Sequence, residues 1–267
     1  MSHVLVEKKD HVGTITLNRP ERMNTISGQM LAAFSESLIA LDRDDDVRVI
    51  VITGSGRAFC AGLDLQDQRD GKGFDGESSG GGVGQAGTTI DLRDAPPTVL
   101  HNVEKPTICA LNGGAAGYGM DLALGCDIRI AADTAKMSAA FTKRGVIPES
   151  GGTWLLPRIV GWSVAAEIMF TGRKLDAKQC HEYGIVNQVV PADQLMDVVR
   201  ALAVEIAANA PLAVQATKRM MRMAQVETFE ANIHHVFMQL IPLFRTKDFV
   251  EGVAAFLEKR DPEFRGE

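Results

Sequence analysis

The sequence predicts an α/β fold that carries a helical C-terminal region. Three observations lead there. Short apolar runs, foremost Val49-Ile50-Val51-Ile52, are hydrophobic on both faces, as strands of a covered parallel sheet are. Such runs recur at 107–111, 128–131 and 185–190 with helical stretches between them, a pattern that right-handed β/α crossovers satisfy. From Asp193 onward the apolar residues keep helical spacing and no strand pattern returns.

Taken in order, 4–7 and 12–17 are β-rich runs parted by Lys8-Lys9-Asp10-His11, which predicts a hairpin. Asn18-Arg19-Pro20 breaks the strand. Ser27 is placed to cap a helix whose Met30, Leu31, Phe34, Leu38 and Leu41 fall on one face, and Arg43-Asp44-Asp45-Asp46 ends it. A strand is expected at 47–52. Between Gln66 and Thr89 the chain is rich in glycine and serine, a composition that forbids a packed core. It reads either as a flexible surface loop or as a lid over a neighbouring site. The C-terminal helices are expected at 195–208, 211–223, 228–240 and 246–257. Residues 1–192 thus form the expected core unit and 193–267 the helical region.

Composition excludes several functions. The 267 residues are 45% hydrophobic and 23% charged, enough for one large core. No apolar run approaches the ~20 residues of a membrane span, and the opening residues lack a secretory pattern, so a cytoplasmic location is expected. Cys60, Cys109, Cys126 and Cys180 form no CxxC pair and no metal-like spacing with histidine; buried thiols are expected, and no metal. A net charge of −6 speaks against a nucleic-acid partner but leaves room for an anionic ligand held by local basic groups. No GxSxG serine accompanies His101, His181, His234 or His235.

Two glycine-centred turns follow apolar strands: Ala58-Phe59-Cys60-Ala61-Gly62-Leu63-Asp64 and Asn112-Gly113-Gly114-Ala115-Ala116-Gly117-Tyr118-Gly119. Each can expose bare N–H groups at a strand end, and two such donors aimed at one carbonyl oxygen make an oxyanion hole. Either turn by itself is equally a tight strand-to-helix connection that uses glycine for backbone freedom. The glycines of the second do not keep the G-x-G-x-x-G spacing of a dinucleotide loop. With Leu17-Asn18-Arg19-Pro20-Glu21-Arg22-Met23-Asn24 before them, and Thr171-Gly172-Arg173, Gly184-Ile185-Val186 and Phe256-Leu257-Glu258-Lys259-Arg260 after, the chain resembles the crotonase (enoyl-CoA hydratase/isomerase) superfamily over nearly its whole length.

That resemblance implies a spiral of ββα units, a C-terminal trimerisation region and an acyl-CoA thioester substrate, with coenzyme A bound only as part of that substrate. It implies a homotrimer or a dimer of trimers. By the same carry-over, Leu63 and Tyr118 supply the oxyanion N–H groups. Ala58, Cys60, Ala61 and Gly62 line the adenine pocket through their backbone, with Asp64 in the same motif. Arg22 and Lys259 are candidates for the phosphates, though such side chains also serve as plain surface charges.

Asp121 occupies the position of the first hydratase glutamate, one methylene shorter; as a bare acid it could equally stabilise the start of its helix. The second glutamate falls at Phe141, which transfers no proton. Glu149, in Val146-Ile147-Pro148-Glu149-Ser150-Gly151-Gly152-Thr153-Trp154, reads either as an acid capping the next helix with Ser150 or as the catalytic acid. The stretch resembles phenylacetate-pathway and Δ3,Δ2-enoyl-CoA isomerases, which carry their catalytic carboxylate there. Apolar neighbours should raise the Glu149 pKa. The favoured expectation is double-bond isomerisation by Glu149. Hydration using Asp121 with Glu149, and a catalytically idle acyl-CoA-binding protein, remain alternatives.

Overall fold

The computed structural model describes residues 2–64 and 92–267. The glycine-rich segment read above as loop or lid lies outside the described residues. The hairpin forms between β1 (Val4–Lys9) and β2 (Val12–Leu17), joined by Asp10 and His11, both at positive φ (52° and 61°). Positive φ at both central residues is the two-residue turn whose twist matches antiparallel strands. Ser27 caps α1 (Gly28–Arg43) by accepting from the Met30 N–H, and the anticipated apolar face is buried.

Beyond α1, each turn of chain gives one strand to each of two sheets. The strands are β3 (Val49–Gly54) then β4 (Ala58–Cys60), β5 (Thr107–Leu111) then β6 (Gly114–Ala116), and β7 (Ile128–Ala132) then β8 (Lys136–Ser138). β9 (Lys174–Asp176) closes the second sheet and β10 (Gln188–Val190) the first. The first sheet runs β1-β2-β3-β5-β7-β10 and is parallel except for the hairpin; the second runs β4-β6-β8-β9. This two-sheet spiral is the expected α/β architecture.

Residues 185–190 depart from expectation, because only 188–190 are strand. Ile185 and Val186 close a helix instead. Gly184, at φ 74°, follows α6 (Ala177–Glu182), numbered after α2 (Pro96–Asn102), α3 (Tyr118–Gly125), α4 (Gly152–Val160) and α5 (Trp162–Thr171). The Ile185 N–H donates to Cys180 O and the Gly184 N–H to His181 O. That is a Schellman cap, whose apolar residue is buried for the helix rather than for the sheet.

The C-terminal helices are α7 (Leu195–Ala207), α8 (Pro211–Met223), α9 (Phe229–Leu243) and α10 (Lys247–Glu258). α7 lies on the first sheet and buries Leu195, Val199, Ala203 and Ala207 in the main core, so the core continues past Asp193. α8 is tied to it by Lys218, whose Nζ donates to Asp127 Oδ2 (2.6 Å) and Lys105 O (2.7 Å). α9 has no buried residue. No helix among the described residues is long and apolar enough to cross a membrane.

Candidate active site

The second sheet brings the two glycine turns together. β4 pairs in parallel with β6, so the segments that leave them end side by side. A Cβ built on Gly62, whose φ is +100°, would lie 2.8 Å from Ala116 O and 3.8 Å from the Tyr118 nitrogen. A Cβ on Gly119 would lie 2.0 Å from Cys60 O. Only glycine permits this backbone-to-backbone approach.

The donors follow from local structure. The Ile26 N–H donates to Gly62 O and the Asp64 N–H to Ile26 O, so by strand alternation the Leu63 N–H faces away from that bridge. Tyr118 is the first residue of α3, two positions earlier than a helix that follows the Gly117-Tyr118-Gly119 turn would begin; Gly117 (φ 54°, ψ −124°) is its N-cap. An N–H in that first turn has no partner within the helix and carries the positive end of its dipole. Among the described residues, neither amide donates to a turn or cap bond.

A cavity of about 380 Å³ is walled by α2, α3 and the start of α4, with Asp121, Glu149, Ser150, Trp154 and His101 among its lining residues; neither Leu63 nor Tyr118 lines it, and its link to the turns is α3, which Tyr118 opens and whose first turn holds Asp121. Glu149 is exposed at the cavity, and partial burial of its carboxyl pushes its pKa up. Trp154 meets His101 edge to face (5.4 Å) and carries the Arg158 guanidinium over its ring at 4.0 Å. Burial, then Arg222 and Lys218, hold the His101 pKa down, which favours a neutral ring.

Asp121 is neither an exposed helix-start charge nor open to solvent: it is 1% exposed. Its Oδ2 accepts from Ser150 Oγ at 2.8 Å and from the Gly152 N–H at 3.0 Å. Ser150 therefore holds Asp121 rather than capping α4, whose N-cap is Gly151. Burial pushes the Asp121 pKa to about 7, opposed by the Ser150 and Gly152 hydrogen bonds and aided by the Glu149 charge. A helix N-terminus favours a carboxylate by at most about 2 kcal/mol. Withdrawing a carboxylate from water costs more, so burial prevails.

Of the predicted ligand-binding residues, Ala58, Cys60 and Gly62 are buried and Ala61 is half-buried, as backbone contributors can be. Arg22 and Asp64 meet each other: Arg22 Nη2 donates to Asp64 Oδ1 (2.7 Å) and Oδ2 (2.9 Å), and Arg19 and Thr25 donate to Asp64 as well. Asp64 thus braces the first turn. Lys259 is the exposed left-handed cap of α10 (φ 56°), with no hydrogen bond or ion pair to the 58–64 turn among the described residues. Sequence reasoning weighed Ser150 only as a helix cap and missed its bond to Asp121; the signal is a hydroxyl beside a candidate catalytic acid, which spacing alone does not connect to position 121. Among the described residues no cluster of three or more His, Cys, Asp or Glu is placed to hold a metal.

Known proteins share this frame. The chain is 40% identical to the 1,2-epoxyphenylacetyl-CoA isomerase of Escherichia coli (strain K12), over 100% of this chain and 99% of the relative. It is 37% identical to the (E)-benzylidenesuccinyl-CoA hydratase of Thauera aromatica, over 98% and 99%. The crystal structure of an enoyl-CoA hydratase from Bacillus anthracis superposes with a TM-score of 0.88 at 32% identity, covering 99% of this chain and 100% of that one. The family profile described as Enoyl-CoA hydratase/isomerase matches residues 7–267. The chain belongs to the enoyl-CoA hydratase/isomerase family, the crotonase superfamily, and is an enzyme of that family.

Proposed function

We propose that this enzyme moves a double bond in an acyl-CoA thioester through an enolate. The Leu63 and Tyr118 N–H groups donate to the thioester oxygen. Glu149 takes a proton from the acyl chain, and the C–H electron pair passes into the conjugated system and onto that oxygen. The carboxylic acid formed then returns the proton to a different carbon, so substrate and product have the same composition. The observation that carries this reading is the placing of the acids: Glu149 is exposed at the cavity, Asp121 is buried behind Ser150, and position 141 is phenylalanine. One mobile proton suffices for migration, whereas adding water across a double bond benefits from two acid-base groups.

Hydration is the second reading, favoured by Asp121 and Glu149 lining one cavity and by a hydratase among the relatives. Incubation with a 3-enoyl-CoA and with crotonyl-CoA separates the two. In the isomerase, Glu149→Gln lowers kcat for migration by about 10²–10⁴. Hydration of crotonyl-CoA faster than migration would replace it by the hydratase, and no turnover of either thioester by the idle binding protein.

Coenzyme A is then part of the substrate, its adenine set against the backbone of Ala58, Cys60, Ala61 and Gly62 and its phosphates near Arg22 and Lys259; no further cofactor enters this chemistry. The assembly belongs to the same proposal. Exposed Phe229, Phe237, Met238, Ile241, Phe256 and Leu257 give the C-terminal helices a far larger apolar surface than scattered residues produce, which supports a homotrimer or a dimer of trimers. A cytoplasmic setting is supported by four buried, unpaired cysteines.

A further inference from the structure

The two oxygens of Asp121 have unequal surroundings. Ser150 Oγ and the Gly152 N–H converge on Oδ2, and the Ser150 N–H also acts on the carboxyl, while Oδ1 is buried with no hydrogen-bond partner among the described residues. A Cβ on Gly152 would lie 2.2 Å from Oδ1, so the absence of that side chain is what admits the carboxyl. An ionised carboxylate here would leave a buried charged oxygen without a hydrogen bond from the protein, the costlier of the two protonation states. A neutral acid protonated at Oδ1 keeps Oδ2 as acceptor for both donors.

The donors belong to the residues that present Glu149. Ser150 follows it directly, and Gly152 opens α4 after Gly151, whose φ of +100° turns the chain. We propose that Asp121 is a positioning residue that acts as a neutral acid, clamping the 149–152 turn through Oδ2 so that Glu149 faces the cavity, and that it exchanges no proton with the acyl chain. The inference rests on Glu149 being the base. A neutral Asp121 also keeps negative charge out of the first turn of α3, beside the Tyr118 N–H, where an enolate develops.

Among the described residues, the titratable groups around Asp121 are Glu149 on the clamped turn, His101 on α2, Cys60 on β4 and Tyr118 on its own helix. The Cys60 thiol is pushed up to about 12 and Tyr118 is raised by burial, so both are neutral where Asp121 titrates. His101 is held down and neutral there as well. Arg158 of α4 is engaged on the Trp154 ring.

The test is the pH dependence of kcat for 3-enoyl-CoA migration in the wild type, Asp121→Asn, Asp121→Ala, Ser150→Ala and Glu149→Gln. Asparagine keeps an acceptor oxygen and cannot ionise, so Asp121→Asn is expected within about threefold of wild type. Asp121→Ala and Ser150→Ala release the turn and are expected to lose up to about a hundredfold in kcat with KM little moved, as a misplaced catalytic group does. The wild-type rate is expected to fall as pH rises through about 7, and that fall to be absent in Asp121→Asn. Asp121→Asn as inactive as Glu149→Gln would make Asp121 a proton carrier and overturn the proposal. Full activity of both alanine variants would overturn the clamp, and an alkaline fall that persists in Asp121→Asn would overturn the neutral acid. Full activity of Glu149→Gln would instead overturn the assignment of the base.

Discussion

Replacing Gly62 by alanine tests whether the juxtaposed turns form an oxyanion hole. The added Cβ would stand 2.8 Å from Ala116 O. Ordinary contact needs about 0.5 Å more, so the 58–64 turn must move away from the 114–119 turn or change its φ. Its φ of +100° is itself hostile to alanine, at about 1–3 kcal/mol of strain. Either response displaces the Leu63 N–H from the Tyr118 N–H. Losing one donor of such a pair costs about 3 kcal/mol in the transition state, roughly a hundredfold in kcat. The assay is migration of a 3-enoyl-CoA double bond, read by the absorbance of the conjugated thioester, with circular dichroism and a thermal melt confirming the fold. A hundredfold loss in a folded variant, with KM little changed, is expected. A folded Gly62→Ala enzyme within about threefold of wild type would refute the assignment of Leu63 and Tyr118 as the donors.

Three further outcomes follow from the geometry. Because Glu149 must be ionised to act as a base and burial raises its pKa, the migration rate is expected to fall on the acid side at a pH above that of an exposed glutamate; a limb at the ordinary carboxylate value would speak against Glu149. Asp121 has a folded-state pKa near 7 against an ordinary 3.8, so the folded protein binds the extra proton, and stability falls as pH rises between those values by at most about 4 kcal/mol. Asp121→Asn is therefore expected to gain in Tm relative to wild type between about pH 4 and pH 8, whereas a difference that ignores pH would deny the shift. Phe237 is 57% exposed on α9, and Phe237→Asp is expected to lower the mass seen by light scattering from trimer to monomer; an unchanged mass would place the interface elsewhere.

The local code makes much of the fold readable from the residues alone. The Asp10-His11 hairpin, the Ser27 cap and the four C-terminal helices depend on turn chemistry and on apolar spacing within a few residues. The second sheet was not readable, because its strands are three residues long and too short to show a period. Ile185 and Val186 show the converse failure: an apolar pair that looks like a strand is buried by a helix cap.

For the site, the chain by itself determined which groups are available: two glycine turns with bare amides, Glu149 in an apolar stretch, Asp121 in a first helical turn, and a phenylalanine where a second glutamate would have stood. These are properties of residue type and short-range order. Only the tertiary structure decided that the turns lie back to back, that Asp64 braces Arg22, and that Asp121 is sealed behind Ser150 with its pKa near 7. Residues 121 and 150 are 29 apart in sequence, and nothing local couples them. Desolvation and hydrogen bonding across such a gap exist only once β4, β6 and the helices around them have packed.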